Sequence, residues 1–179
     1  MTIFEFLSVA VSIVLALTLG KLIAATPHVF SLRARDVIHA GFFLITNFVV
    51  LAIWWYVWTL HDKATWNFLE FLIMMGSPIG LYLAAHVLVS DVPREVVSWR
   101  EHFASVHRWY FAAILATVLF AIVRMVWVLG DQLLFALGLI LLSMVITIGI
   151  VSPRRSVHAG VLIFWLVFQA FAVTQRFTA

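Results

Sequence analysis

The sequence predicts an all-α polytopic membrane protein, a bundle of six transmembrane helices with a short amphipathic cytoplasmic helix between the third and the fourth. Hydrophobic residues make up 65% of the 179 positions and charged residues only 11%, against about 25% charged residues in soluble proteins. The apolar residues are grouped in six runs, each close to the ~20 residues that a helix needs to cross a bilayer. The runs lack the two-residue alternation of a membrane β-barrel.

The six runs form a single transmembrane domain over residues 1–179. The predicted spans cover about 3–25, 37–60, 66–90, 107–129, 132–151 and 157–176. The first run differs from a secretory signal because its first residues include Glu5 and no basic residue, whereas Lys21 follows its apolar part. We therefore expect it to be retained as the first helix.

The basic residues predict the orientation. Eight of the 11 Lys and Arg residues flank the loops after the first, third and fifth spans. These eight are Lys21, Arg33, Arg35, Arg94, Arg100, Arg108, Arg154 and Arg155, and the other three are Lys63, Arg124 and Arg176. By the positive-inside rule, the three Arg-bearing loops are cytoplasmic and both termini lie outside the cytoplasm. For a helical bundle of this kind we expect the bacterial inner (plasma) membrane.

Two of the connections carry further information. The fourth and fifth spans are joined only by Gly130 and Asp131, and Asp131 suits an N-cap. The longest loop contains Pro93, which suits a first helical turn, followed by apolar residues at helical spacing and charged residues on the other face. This pattern predicts an amphipathic helix over about 92–106 on the inner leaflet. The alternative is a connector helix packed on the bundle.

The third span contains a break in its apolar run, Gly76-Ser77-Pro78-Ile79-Gly80. Pro78 removes a backbone hydrogen bond, so the sequence predicts a kink just before it. Gly76 and Gly80 would let a neighbouring helix approach closely. Transporters also use broken helices to expose backbone groups to substrate, and the sequence leaves both interpretations open.

Five of the six spans carry a polar stripe, which predicts a partly polar bundle interior. Glu70 and Arg124 both fall within about 10 Å of the outer ends of antiparallel neighbouring helices, so we expect them to pair. The predicted polar path or substrate site consists of Glu5, Asn47, Glu70, Ser77, Pro78, Arg124, Gln169 and Arg176. The alternative is a structural salt bridge together with solvated helix ends.

Four histidines from four spans fall near the inner boundary of the membrane. They are His39, His86, His107 and His158. Imidazoles at one depth are candidate ligands for haem or a metal ion, and a titrating cluster could also relay protons. The histidines lack the tight spacing of a metal motif, and the absence of Cys excludes thiolate sites. The leading interpretation therefore includes no cofactor. By default, we expect these histidines to lie at the membrane interface without a ligand.

These observations favour a small channel or transporter-like protein with a polar intramembrane path. The chain has no recognisable catalytic motif, so we predict no catalytic residues and do not expect an enzyme. One alternative is a membrane redox protein with His-ligated haem or metal, and another is a non-catalytic scaffold or complex subunit. The expected partners are the lipid bilayer and either copies of the chain or a membrane partner subunit. Nucleic acid is not expected, because the net charge of +3 comes from the loops.

Overall fold

The computed structural model describes residues 2–31, 34–63, 65–129 and 133–177, with the side chains of 128–129, 133–134 and 175–177 excepted. The described residues form six α-helices and no strand, which confirms the all-α prediction. The helices are α1 (Ile3–Val29), α2 (Val37–Trp58), α3 (Phe68–Leu88), α4 (Trp99–Arg124), α5 (Leu133–Val151) and α6 (Arg155–Phe177). Arg33, Gly130 and Asp131 lie outside the described residues.

Five of these helices, α1 to α4 and α6, are long and apolar enough to cross a membrane. The part of α5 with described side chains, Phe135–Val151, is apolar but shorter. Length and composition therefore agree with an integral membrane protein.

Polar side chains at the helix starts determine where four of the helices begin. Thr2 and Asn67 form reciprocal capping boxes with Glu5 of α1 and Glu70 of α3. Asp36 accepts a hydrogen bond from the His39 backbone N–H at 2.9 Å and so caps α2, and the Ser98 side chain caps α4. Such caps each contribute about 1 kcal/mol, because they satisfy backbone N–H groups that have no partner inside the helix.

The bundle is built around α2 and α4. Helix α4 packs between α3 and α5, while α2 contacts α1, α3 and α6, and α5 packs on α6. Helices α1, α3 and α5 end where α2, α4 and α6 begin; this end of the bundle carries most of the loop arginines and is called the basic end. The other end is called the opposite end.

The structure differs from the predicted amphipathic helix over 92–106. A 3₁₀ turn at Pro93–Glu95 is followed by α4, so residues 99–106 are the first two turns of that long helix. The apolar face of this segment is covered by protein, because Trp99 and Phe103 are both buried. The indole N–H of Trp99 donates to the His28 carbonyl at 3.0 Å, which joins the start of α4 to the end of α1.

Helix α3 continues through Pro78 as one helix. Ser77 donates its hydroxyl to the Thr117 carbonyl of α4 at 3.1 Å. Gly80 lies against the same turn of α4, where an added Cβ atom would come within 3.1 Å of the Thr117 backbone nitrogen. The Gly-Ser-Pro-Ile-Gly segment is therefore where α3 and α4 approach closely, as the packing interpretation expects.

Candidate functional site

A cavity of about 460 Å³ lies between α2, α4, α5 and α6. Its walls run along α2 from Thr59 at the opposite end to Phe48, a rise of about 16 Å, which is half the depth of a bilayer core. Most of the wall is apolar and includes Ile53, Ile114, Leu139, Trp165, Phe168 and Ala172. The cavity therefore falls in the size range of small-molecule sites, with walls suited to an apolar ligand.

Arg124, the last residue of α4, lines this cavity. The residue is only 4% exposed, and its guanidinium lies over the Tyr56 ring at 4.4 Å from the ring centroid. Its Nε and Nη1 atoms are buried without a hydrogen-bond partner among the described residues. Because a guanidinium stays protonated in proteins, the cavity contains a positive charge whose hydrogen-bonding capacity is incompletely used.

Gln169 of α6 also lines this cavity, and its side chain is half-buried. Thr117 also lines the cavity, but its hydroxyl donates to the Ala113 carbonyl of its own helix at 2.9 Å. Arg124 and Gln169 are thus the lining groups best able to bind a polar part of a ligand. Arg124 and Gln169 are both among the residues predicted to form the polar path or substrate site.

The predicted ion pair between Glu70 and Arg124 is wrong. The Glu70 carboxylate accepts from the Lys63 ammonium at 2.9 Å and from the Asn67 backbone N–H at 3.0 Å. The reason is local, because Glu70 is the third residue of α3 and its side chain turns back to cap the start of its own helix. Lys63 lies in the preceding loop, close to that cap.

Of the other predicted site residues, the five with described side chains do not line the cavity. Asn47 donates to a carbonyl of its own helix at 2.9 Å, and Ser77 and Pro78 are buried between α3 and α4. Glu5 is exposed and caps α1, with its carboxylate 2.8 Å from the Thr2 backbone nitrogen. The side chain of Arg176 lies outside the described residues. Of the eight predicted residues, the structure brings Arg124 and Gln169 together at one cavity.

A layer of buried aromatic side chains separates the cavity from the basic end. The Phe42 ring lies 5.2 Å from those of Phe103 and Phe111, 5.6 Å from that of Tyr110 and 6.4 Å from that of Trp165, which also lines the cavity. All five side chains are buried. Rings packed at these distances leave little room for a hydrated solute.

Two of the histidines join helices at the basic end. His39 is fully buried, donates from Nε2 to the Leu88 carbonyl of α3 at 3.0 Å, and stacks on Trp99 of α4 at 4.6 Å between ring centroids. His158 donates from Nε2 to the Ser152 carbonyl at 2.9 Å and so fixes the turn between α5 and α6. These contacts give both rings a structural role.

The remaining two predicted histidines bond within their own helices. His86 and His107 donate from Nδ1 to the carbonyls of Tyr82 at 3.2 Å and Ala104 at 2.8 Å. The rings of His107 and His158 lie 4.8 Å apart. The described residues contain no group of three or more His, Asp or Glu side chains placed to hold one metal ion. Haem or metal ligation stays an alternative to the prediction of no cofactor.

The basic end also contains an ion pair between Asp36, which caps α2, and Arg155, the first residue of α6. Burial raises the pKa of the Asp36 carboxyl, but the hydrogen bonds from the Arg155 guanidinium and the His39 backbone N–H outweigh this effect and place the pKa below its usual value. The pair links the starts of two parallel helices on the side of the bundle where the loops are basic.

Tyr56, whose ring contacts Arg124, was not among the predicted site residues. It lies in the run Trp54-Trp55-Tyr56-Val57-Trp58, which as a whole resembles an aromatic belt. The signal that separates Tyr56 is its position seven residues after Val49 on the cavity face of α2, whereas Trp54 and Trp58 are exposed. Comparisons of the chain with protein-family models, with curated proteins and with solved structures found no match.

Proposed function

We propose that the chain is a transporter-like protein of the inner membrane, with six spans and a substrate site in the cavity beside Arg124 and Gln169. Although α5 is the shortest helix, its 19 residues reach about 28 Å, close to the ~30 Å of a bilayer core. With six crossings and the arginine-bearing loops in the cytoplasm, both termini lie outside, and the cavity is on the outer side.

The observation that carries this proposal is the buried charge of Arg124 in a cavity with apolar walls. An ionised residue in the hydrocarbon region costs about 2.5–3.5 kcal/mol on insertion scales, and such residues are usually functional. Among the described neighbours this charge meets an aromatic ring rather than a carboxylate. A substrate site gives the guanidinium a role.

The aromatic layer favours a transporter over an open channel. A channel needs a continuous path, whereas the cavity begins at the opposite end and meets Trp165 and the packed rings behind it. A cavity that reaches mid-membrane from one side and is closed towards the other is the arrangement expected of alternating access. Inward opening would then require these rings to separate.

The proposal is tested with purified protein in liposomes of phosphatidylcholine. The liposomes are loaded with either of two naphthalene probes, 2-naphthalenesulfonate or 2-naphthyltrimethylammonium, whose permanent charges make passive crossing slow. We expect the protein to accelerate the release of at least one probe, measured by fluorescence. If neither probe leaves faster than from protein-free liposomes, the transport proposal is wrong.

A matched pair of variants locates the path. Ala172 lines the cavity, and Ala170 is exposed on the same helix. Ala172→Phe fills the cavity and is expected to stop the release, while Ala170→Phe adds the same ring outside the bundle and is expected to preserve it. Equal release from the two variants would show that the cavity is not the route.

A further inference from the structure

We infer that the ligand of this cavity is an amphipathic organic anion, with one oxyanion head group that binds Arg124 and an apolar body that occupies the cavity. This inference deepens the proposed function and rests on it for the assignment of the cavity as the ligand site. It depends on three properties of the described residues: the two guanidinium nitrogens of Arg124 without a described hydrogen-bond partner, the lack of a nearby carboxylate and the composition of the walls.

The guanidinium determines the head group. Nε and Nη1 of Arg124 are both buried without a described hydrogen-bond partner. They lie on different edges of the guanidinium plane, and Nη2 is the second donor on each of these edges. Two parallel N–H groups match the two oxygens of a carboxylate or a phosphate, and this bidentate geometry strengthens the bond. An oxyanion on either edge would therefore satisfy one of these two atoms.

The charges around the cavity determine the sign of the ligand. The ion pairs among the described residues engage Asp36, Asp62, Glu70 and Asp91 with partners other than Arg124. The described cavity lining itself contains no acidic residue. A cationic ligand would thus meet an uncompensated positive charge in a medium of low dielectric constant, whereas an anion would neutralise it.

The walls determine the rest of the ligand. Beyond Arg124 and Gln169 the cavity is lined largely by aromatic and aliphatic side chains, including Trp165, Phe168 and Leu139. These groups give no compensation for the hydration that a sugar or a small inorganic anion would lose, but they favour an apolar body. Gln169 can bind a further oxygen of the head group through its amide, which is both a donor and an acceptor.

The inference is tested by binding to the full chain in phosphatidylcholine nanodiscs, with calorimetry and empty nanodiscs as the blank. Three probes share one apolar body: 2-naphthoate is anionic, 2-naphthalenemethanol neutral and 2-naphthyltrimethylammonium cationic. We expect naphthoate to bind at least about tenfold more tightly than the alcohol and the cation to bind most weakly. Equal or tighter binding of the cation would overturn the inference.

Variants assign the preference to Arg124. Arg124→Gln is expected to weaken naphthoate binding by roughly 30-fold and to leave the affinity for the alcohol unchanged. Arg124→Lys keeps the charge but not the bidentate geometry, so an intermediate affinity is expected. Arg100 is exposed at the basic end, and Arg100→Gln removes the same charge without effect on binding. Equal losses in Arg124→Gln and Arg100→Gln would overturn the inference.

Two further measurements address the case in which Arg124→Gln does not fold and the case in which an acidic residue of the chain itself pairs with Arg124. If Arg124→Gln does not fold, Ala172→Phe tests the site with the charge retained, and it is expected to abolish naphthoate binding; retained binding would overturn the inference. Asp131 is the acidic residue closest to Arg124 in sequence. Asp131→Asn is expected to leave naphthoate affinity unchanged, and a gain of more than about tenfold would show that the chain supplies its own anion.

The two sources of such an anion are distinguished by adding phosphatidylglycerol to the nanodiscs. If phosphatidylglycerol competes with naphthoate for binding, the natural ligand is a lipid with a phosphate head group. If it does not compete, the natural ligand is a free organic anion. Either result agrees with an anionic ligand. Failure of transport is separable from failure of this inference. If naphthoate binds through Arg124 but neither probe is released faster from liposomes, only the proposed transport function is wrong. If only the cationic probe is released, only the inference of an anionic ligand is wrong.

Discussion

At the residue scale, Asp36 contributes to stability in two ways, as a helix cap and as a partner in an ion pair, and a conservative substitution separates the two. Its carboxylate caps α2 and pairs with Arg155 of α6. Asp36→Asn preserves the cap, because asparagine caps about as well as aspartate, but it removes the ion pair. The Arg155 side chain is 44% exposed and therefore partly screened. We expect the variant to lose about 1 kcal/mol of unfolding free energy at neutral pH, measured in detergent.

The same residue gives a pH dependence with a defined sign. The pKa of the Asp36 carboxyl is lower in the folded protein than its usual value near 4. The contribution of the pair is therefore present above that usual value and disappears as the pH falls through the folded pKa. The stability difference between the wild type and Asp36→Asn should shrink towards pH 3. Glu101 is an exposed acid in the first turn of α4, and Glu101→Gln is the control. A difference that is the same at pH 7 and pH 3 would show that the pair contributes nothing.

Single residues also show how far the candidate site could be predicted from the sequence. Arg124 and Gln169 were identifiable because a charge and an amide inside apolar runs need a partner or a cavity. The partner of Glu70 was assigned incorrectly because its position in a capping box fixes its side chain more strongly than helix adjacency does. Tyr56 was missed because aromatic residues at a membrane boundary have a simpler explanation, and only packing shows which of them turns inward.

At the element scale, the close approach of α3 to α4 depends on Gly80. An added Cβ atom would lie 2.5 Å from the Thr117 hydroxyl and 3.2 Å from the Ala113 carbonyl oxygen, and the backbone of α4 cannot move away independently. We expect Gly80→Ala to destabilise the bundle by about 1–3 kcal/mol through overpacking. The measurement is the thermal midpoint in detergent, followed by circular dichroism at the helix band.

Gly20 provides the matched control because it also lies inside a helix, α1, but has no neighbouring atom within 4 Å of an added Cβ. Gly20→Ala should raise the midpoint slightly, since alanine favours the helical state by up to about 1 kcal/mol over glycine. If both variants shift the midpoint in the same direction, the contact between α3 and α4 is not as tight as described.

The bounds of the helices show what hydropathy can and cannot define. The predicted span 37–60 agrees closely with α2, Val37–Trp58, because apolar content and the Asp36 cap indicate the same start. The predicted span 107–129 begins eight residues later than α4, which starts at Trp99. The first two turns of α4 are amphipathic, so their sequence predicts a separate interfacial helix. Only the burial of Trp99 and Phe103 shows that protein rather than lipid covers their apolar face.

At the scale of the whole molecule, the helix contacts explain why the polar stripes do not meet along one axis. Helices α2, α4, α5 and α6 enclose the cavity, whereas α1 and α3 pack on the outside of α2 and α4. The stripes of α1 and α3 are consequently used for caps and for the contact with α4. The sequence indicated which helix faces are polar, but the order of the helices around the bundle is a tertiary property that periodicity does not contain.

The number of crossings gives the last prediction, and the absence of cysteine makes it simple to test. Single cysteines at Thr2, Asp62, Val97 and Ser156 sample the two ends of the bundle at exposed positions. With six crossings and cytoplasmic basic loops, a membrane-impermeant maleimide added to intact cells should label Thr2→Cys and Asp62→Cys but not Val97→Cys or Ser156→Cys. All four should react after the cells are lysed. If the short helix α5 did not cross, the chain would pass the membrane only five times, and Ser156→Cys would be labelled together with Asp62→Cys. Labelling of Val97→Cys and Ser156→Cys alone would instead invert the orientation and place the cavity at Arg124 on the cytoplasmic side.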